Sequence, residues 1–180
     1  MKAQDVLADT VALSKDLLGR FLPGFTNENR TKQVEHLPNH VIWTLGHLSM
    51  YMSHVAGVID GGTLPESDFV QGDGSAGSAD RFDTEAVGFG SKPVDDPARY
   101  PSLERGRAIF EAAVDRLAAA VRGAHARTLN KRIDWAGTPI VVHTLVSRLV
   151  FHNGFHAGEL ADLRRALGFE RVIPGKPELK

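Results

Sequence analysis

The chain contains no cysteine. That excludes a disulfide framework, a thiolate metal site and a cysteine nucleophile. An excess of either charge sign is missing too: 21 Lys and Arg stand against 22 Asp and Glu, a formal net charge of −1. No run of Lys or Arg exceeds two residues. Neither nucleic acid nor an anionic lipid surface is therefore an expected partner. No stretch approaches the roughly 18 apolar residues of a membrane span. The opening Met1-Lys2-Ala3-Gln4-Asp5 has no apolar core of signal-peptide length behind it, so a cytoplasmic location is expected. Aromatic residues make up only 7%, with two Trp and two Tyr.

What is present is an ordinary globular balance, 42% apolar and 24% charged over 180 residues, which suits one domain spanning residues 1–180. Residues 3–22 read as a first helix, with Val6, Leu7, Leu13, Leu17, Leu18 and Phe21 on one apolar face before Pro23-Gly24. A second helix opens near Leu37-Pro38-Asn39, with Asn39 as a candidate cap, and ends at Asp60-Gly61-Gly62. Seven of the 18 glycines lie between Gly61 and Gly90. Residues 60–101 therefore read as a long crossover, most flexible at Gln71–Ser78, with a short helix at Asp80–Val87. Ser102 opens a third helix that ends at Gly123. Arg127–Trp135 reads as irregular, anchored by Trp135. Thr138-Pro139 then reads as cap and first residue of a fourth helix running to Leu167, with Gly168 as its stop and a polar tail at 169–180. No alternating strand pattern stands out. The expected fold is all-α: a four-helix bundle with a long crossover between the second and third helices, its core at about residues 3–167.

Eight histidines stand out in a chain this poor in aromatics. His152 and His156 are four apart on a helical segment, so both imidazoles project from one face and suit one divalent ion. Leu145, Leu149 and Leu163 continue their stripe, which turns the pair inward. Gly154 and Gly158 thin the adjacent surface for a close neighbour. His47, mid-helix in Trp43-Thr44-Leu45-Gly46-His47-Leu48, offers a third imidazole from a facing helix. Three ligands with open positions is the layout of a catalytic metal site, whereas closed structural zinc sites take four.

Other residues have two readings each. Glu159, three after His156, either orients an imidazole or serves as a general base, or else pairs with Arg164 or Arg165. Arg148, one turn before His152, either binds a substrate carboxylate or lies solvated. Tyr51 follows His47 by four and can bring a hydroxyl near the metal. Trp43 and Met50 read as core. His40 and His54 share the His47 face and read as partly exposed polar residues. His143 falls on nearly the opposite face of its helix, and His36 and His125 at helix ends.

The segments Trp43-x-x-Gly46-His47-Leu48 and His152-x-x-x-His156-x-Gly158-Glu159-Leu160, with Phe89-Gly-Ser-Lys-Pro93 and Tyr100-Pro101-Ser102-Leu103 between them, resemble the DinB/YfiT-like metal-binding superfamily. The likeness runs from about residue 3 to 167. It implies a four-helix bundle, often dimeric, with His47, His152 and His156 as ligands of zinc, nickel or a similar divalent transition metal. Characterised members include transferases and isomerases that use low-molecular-weight thiols such as bacillithiol or mycothiol. The implied function is a thiol-dependent transferase or isomerase acting on a small electrophilic substrate. With no cysteine in the chain, the thiol arrives as a cosubstrate. The alternatives are a hydrolase that uses metal-activated water, and a non-catalytic, stress-associated metal-binding protein. A homodimer is expected, with Ala118-Ala119-Ala120-Val121 a candidate contact or simply core.

Overall fold

The computed structural model describes residues 2–172. Of the expected polar tail at 169–180, residues 173–180 lie outside them. The fold is mostly helical. Helix α1 covers Ala3–Gly19 and α2 covers Val41–Asp60. Two short parallel strands, β1 (Phe69–Val70) and β2 (Phe82–Asp83), precede α3 (Thr84–Val87). Helix α4 covers Leu103–Gly123 and α5 covers Ala126–Leu129. An antiparallel hairpin of β3 (Arg132–Trp135) and β4 (Thr138–Val141) leads into α6 (Val142–Ala166). Among the long helices, α4 and α6 contribute one packing partner each to α1 and one each to α2. None of the described helices is long and apolar enough to cross a membrane.

Helix α2 is the centre of the core. Every residue from Val41 to Met50 is buried, including Thr44, His47 and Ser49. Its cap is His40 and not Asn39: His40 Nδ1 accepts from Trp43 N at 3.1 Å while its Nε2 donates to the Val94 carbonyl at 3.2 Å. His40 is fully buried, which corrects the reading of a partly exposed residue. An imidazole whose two nitrogens are both satisfied loses little by leaving water. Met50 is core, as expected; His54 is exposed.

Helix α1 turns its face differently from the expected stripe. Ala8, Val11, Ser14 and Leu18 are buried, whereas Val6, Leu13 and Leu17 stand about half exposed. The apolar pattern is wider than the contact with α4 and α6 requires. On α4, Ser102 caps as expected, accepting from Arg105 N at 3.1 Å. Ala118 and Val121 are part of the chain's own core, so that stretch offers little to a second copy.

The glycine-rich connection between α2 and α4 is held in place, against the expectation of a flexible Gln71–Ser78. The fully buried Asp83 carboxylate accepts from Gly74 N and Ala76 N, each at 2.8 Å, and from Glu85 N at 2.9 Å. One carboxylate thus ties down the loop and caps α3. Buried Arg30 donates to the carbonyls of Asn27, Pro97 and Pro101, and Phe69, Phe82, Val87 and Tyr100 fill the space beneath.

The hairpin is the main departure from the expected elements. Thr138 and Pro139 belong to β4, paired with Trp135 and Asp134, and α6 starts at Val142. Ala136 (φ 51°) and Gly137 (φ 79°) both take left-handed backbone, the requirement of a tight two-residue hairpin turn. Asp134 Oδ1 accepts from Gly137 N at 2.9 Å and closes it. At the far end, Gly168 (φ 77°) stops α6 as expected: Phe169 N donates to Arg164 O at 2.9 Å and Gly168 N to Arg165 O at 3.1 Å.

Candidate metal centre

Two helices bring three imidazoles to one point. His47 comes from the middle of α2, and His152 and His156 from successive turns of α6. Their ligand atoms all lie within 4.8 Å of one another. His152 Nε2 is 3.3 Å from His47 Nε2 and 3.1 Å from His156 Nε2. Nitrogens bound tetrahedrally to one ion at about 2.0–2.1 Å would lie ~3.3 Å apart.

The far side of two rings fixes which nitrogen faces the centre. His47 Nδ1 donates to the Val87 carbonyl at 2.8 Å, and His156 Nδ1 donates to Glu159 Oε2 at 2.7 Å. Each therefore turns the lone pair of Nε2 inward. A single hydrogen on His152 Nε2 serves only one of those two lone pairs. A cation at the centre serves all three rings, and the donor set fits a divalent transition ion. Burial is the main reason His47 and His152 hold their pKa at about 4; neighbouring imidazoles and, for His152, Arg148 add to it. Both rings are then neutral at neutral pH, the form that ligates.

The surroundings hold each ligand in register. Trp43 stacks on His47, centroids 4.5 Å apart and 16° from parallel, and its Nε1 donates to Ser91 Oγ at 3.0 Å. Gly46 lets this happen: a Cβ there would lie 2.6 Å from the Phe82 ring and 2.8 Å from Val87. The residue that accepts from His47 thus sits against the helix that carries His47. Glu159 Oε2 also accepts from Asn39 Nδ2 at 2.9 Å. Burial opposes a charge on Glu159, but the hydrogen bonds from His156 and Asn39 outweigh it and hold the carboxyl below its ordinary pKa. Its partners are not the arginines. Arg164 donates to the carbonyls of Phe21, Pro23 and Glu170, and Arg165 pairs with Asp162.

His47 and His152 open on one side into a cavity of about 530 Å³, whereas His156 is buried and is not among its walls. Tyr51, Arg148, Trp135 and Phe89 are among its walls. The Tyr51 ring is 4.9 Å from His47 and 6.0 Å from His152, and burial raises its hydroxyl pKa. His40, His54, His143, His36 and His125 are outside this group. His54 lines a separate open cleft of about 830 Å³, and His143, on the outer side of α6, contacts the Leu129 carbonyl at 3.1 Å. Gly154 and Gly158 have open space where a Cβ would stand, so no other described part of the chain closes on them.

Several participants had weak sequence signals. Asn39 and Val87 act through contacts 120 and 40 residues away along the chain. Trp135 reaches the cavity only because the hairpin folds back, its ring 6.3 Å from Tyr51. Gly46 is the exception, since it stands in the Trp43-x-x-Gly46-His47 segment itself.

Comparison with solved structures finds a conserved protein from Enterococcus faecalis, 13% identical, covering 93% of this chain and 99% of that one with a TM-score of 0.68. At that identity the likeness concerns the fold. Comparison with curated proteins finds no match. The family model for the DinB superfamily matches residues 10–160, a span that includes both histidine-bearing helices. The chain belongs to the DinB superfamily.

Proposed function

We propose that the chain is a metal-dependent protein in which His47, His152 and His156 hold one divalent transition ion, zinc or nickel first, and that it acts as a thiol-dependent transferase or isomerase on a small electrophilic molecule. The observation that carries this is the convergence of three imidazoles, two of which, His47 and His152, line a 530 Å³ cavity. A bound ion of this kind supplies Lewis acidity and stabilises a thiolate or deprotonated water. The chain's own groups do the rest. Val87 and Glu159 fix the tautomers of His47 and His156. Trp43 excludes water from one face of His47. Arg148 attracts an anionic group to the cavity, and Tyr51 offers a hydroxyl to a reacting oxygen or sulfur.

A hydrolase is the second reading. One feature favours the thiol over it: among the described residues no carboxylate lines the cavity, and Glu159 is engaged behind His156. A small thiol ionises near neutral pH without such a base, whereas water would depend on the ion alone for its acidity. The overall architecture proposed is one domain, a four-helix bundle of α1, α2, α4 and α6 with residues 61–102 as the crossover. A homodimer would use the exposed Leu13 and Leu17 of α1, beside Gly154 of α6. Sedimentation of wild type and Leu13→Glu tests that assembly.

Elemental analysis of untagged protein tests the centre. About one transition ion per chain is expected, lost in His47→Ala and His152→Ala. A folded wild type that takes up no metal after reconstitution refutes the reading. A screen of small thiols with electrophilic substrates then separates transferase or isomerase from hydrolase, and turnover by none of them leaves a metal-binding protein without catalysis.

A further inference from the structure

The three most exposed large apolar side chains among the described residues stand at one place. Phe89 is 93% exposed, Phe151 75% and Phe155 55%, and all three line the cavity beside the histidines. They come from different parts of the chain: Phe89 follows α3, and the other two flank His152 on α6. The hairpin adds the Trp135 ring from a third direction. Three phenyl rings left in water at one mouth form an apolar patch of the kind that marks a binding site.

The charge of the same cavity is one-sided. Arg148 is its only fully charged wall residue, and it makes no hydrogen bond or ion pair among the described residues. With this guanidinium and no carboxylate among its described wall residues, the cavity is positive before any metal adds its own charge. An apolar wall with one convergent cation is how a site recognises an amphipathic anion.

Building on the metal-centre reading, we propose that this cavity takes a small carboxylate with an aromatic or extended apolar body, the carboxylate on Arg148 and the body against Phe89, Phe151, Phe155 and Trp135. The guanidinium selects the charge, and the aromatic rim selects the body. Short hydrophilic acids and neutral apolar molecules each satisfy half of the site.

Calorimetric titration of the zinc-loaded full chain tests this, with 4-phenylbutyrate, 4-phenylbutanamide and butyrate as ligands. Phenylbutyrate is expected to bind at least tenfold more tightly than either of the others. Arg148→Gln is expected to weaken phenylbutyrate at least tenfold and to leave the amide unchanged. Phe151→Ser with Phe155→Ser is expected to weaken both phenyl ligands. Zinc content is measured on every sample. Full zinc with equal binding of acid and amide overturns the proposal and leaves the metal centre standing. The same selectivity in a chain that takes up no zinc supports the proposal and removes the metal centre. Binding of no ligand at all, as when a second copy covers the phenyl rings, overturns it.

Discussion

Glu159 and His156 share a 2.7 Å hydrogen bond, and the same carboxylate oxygen takes a second one from Asn39 at the mouth of α2. The carboxylate thus joins the two helices that carry the imidazoles and polarises one of them. Glu159→Gln keeps an acceptor but removes the charge. Metal affinity is expected to fall roughly tenfold or more, as for other groups that back a metal ligand. Competition with a chelator of known affinity measures it; unchanged affinity would mean that Glu159 only packs.

His47 and His152 differ in what else they hold. His47 also donates to Val87 and stacks on Trp43, whereas among the described residues His152 has no hydrogen bond beyond the other two imidazoles. Both alanine variants should lose metal. In metal-free protein, His47→Ala is expected to cost about 1–3 kcal/mol more, because the Val87 carbonyl loses its donor. Urea unfolding of both variants gives the comparison, and equal stabilities would count against the Val87 contact.

His40 gives stability a pH dependence. Burial pushes its pKa down to about 4 from an ordinary 6.5, opposed in part by the Val94 carbonyl. The folded state therefore refuses a proton that the unfolded chain accepts. Its contribution is complete above the unfolded value and declines as pH falls from about 6.5 toward 4, by on the order of 3 kcal/mol at most. His40→Asn keeps a capping oxygen without the titration. Metal-free wild type should lose more stability between pH 7 and 5 than this variant, and parallel curves would contradict the assignment.

Gly46 has no room for a methyl group. With Phe82 at 2.6 Å and Val87 at 2.8 Å from the position of a Cβ, Gly46→Ala forces the α3 segment away from α2. The expected cost is about 1–3 kcal/mol of overpacking. Metal affinity should fall with it, since Val87 moves. Gly154→Ala, in open space on α6, is the control: it should leave metal affinity unchanged and raise stability by about 0.5–1 kcal/mol. Thermal unfolding and chelator competition on the two variants read both effects.

The pattern of residues was enough to place the long helices, the serine cap of α4, the glycine stop of α6 and the inward face that carries His152 and His156. These depend on neighbours three and four residues apart, which a linear pattern records. The hairpin was missed because Thr138-Pro139 has the chemistry of a helix start; pairing with Trp135 decided otherwise, and two positive φ angles at Ala136 and Gly137 made the turn. Gln71–Ser78 read as flexible because glycine permits it, yet a buried carboxylate at Asp83 removes that freedom. His40 read as partly exposed because its partner, Val94, lies 54 residues away.

The sequence by itself determined that the chain has no thiol of its own, that its fold is helical, and that two imidazoles share one face of one helix. Only the tertiary structure decided that His47 meets them, that Val87 and Glu159 turn the right nitrogens inward, and that Phe89, Trp135 and Arg148 border the same cavity. The reason is range. Helical periodicity acts over a few residues, whereas the convergence of three lone pairs depends on packing between segments about a hundred residues apart.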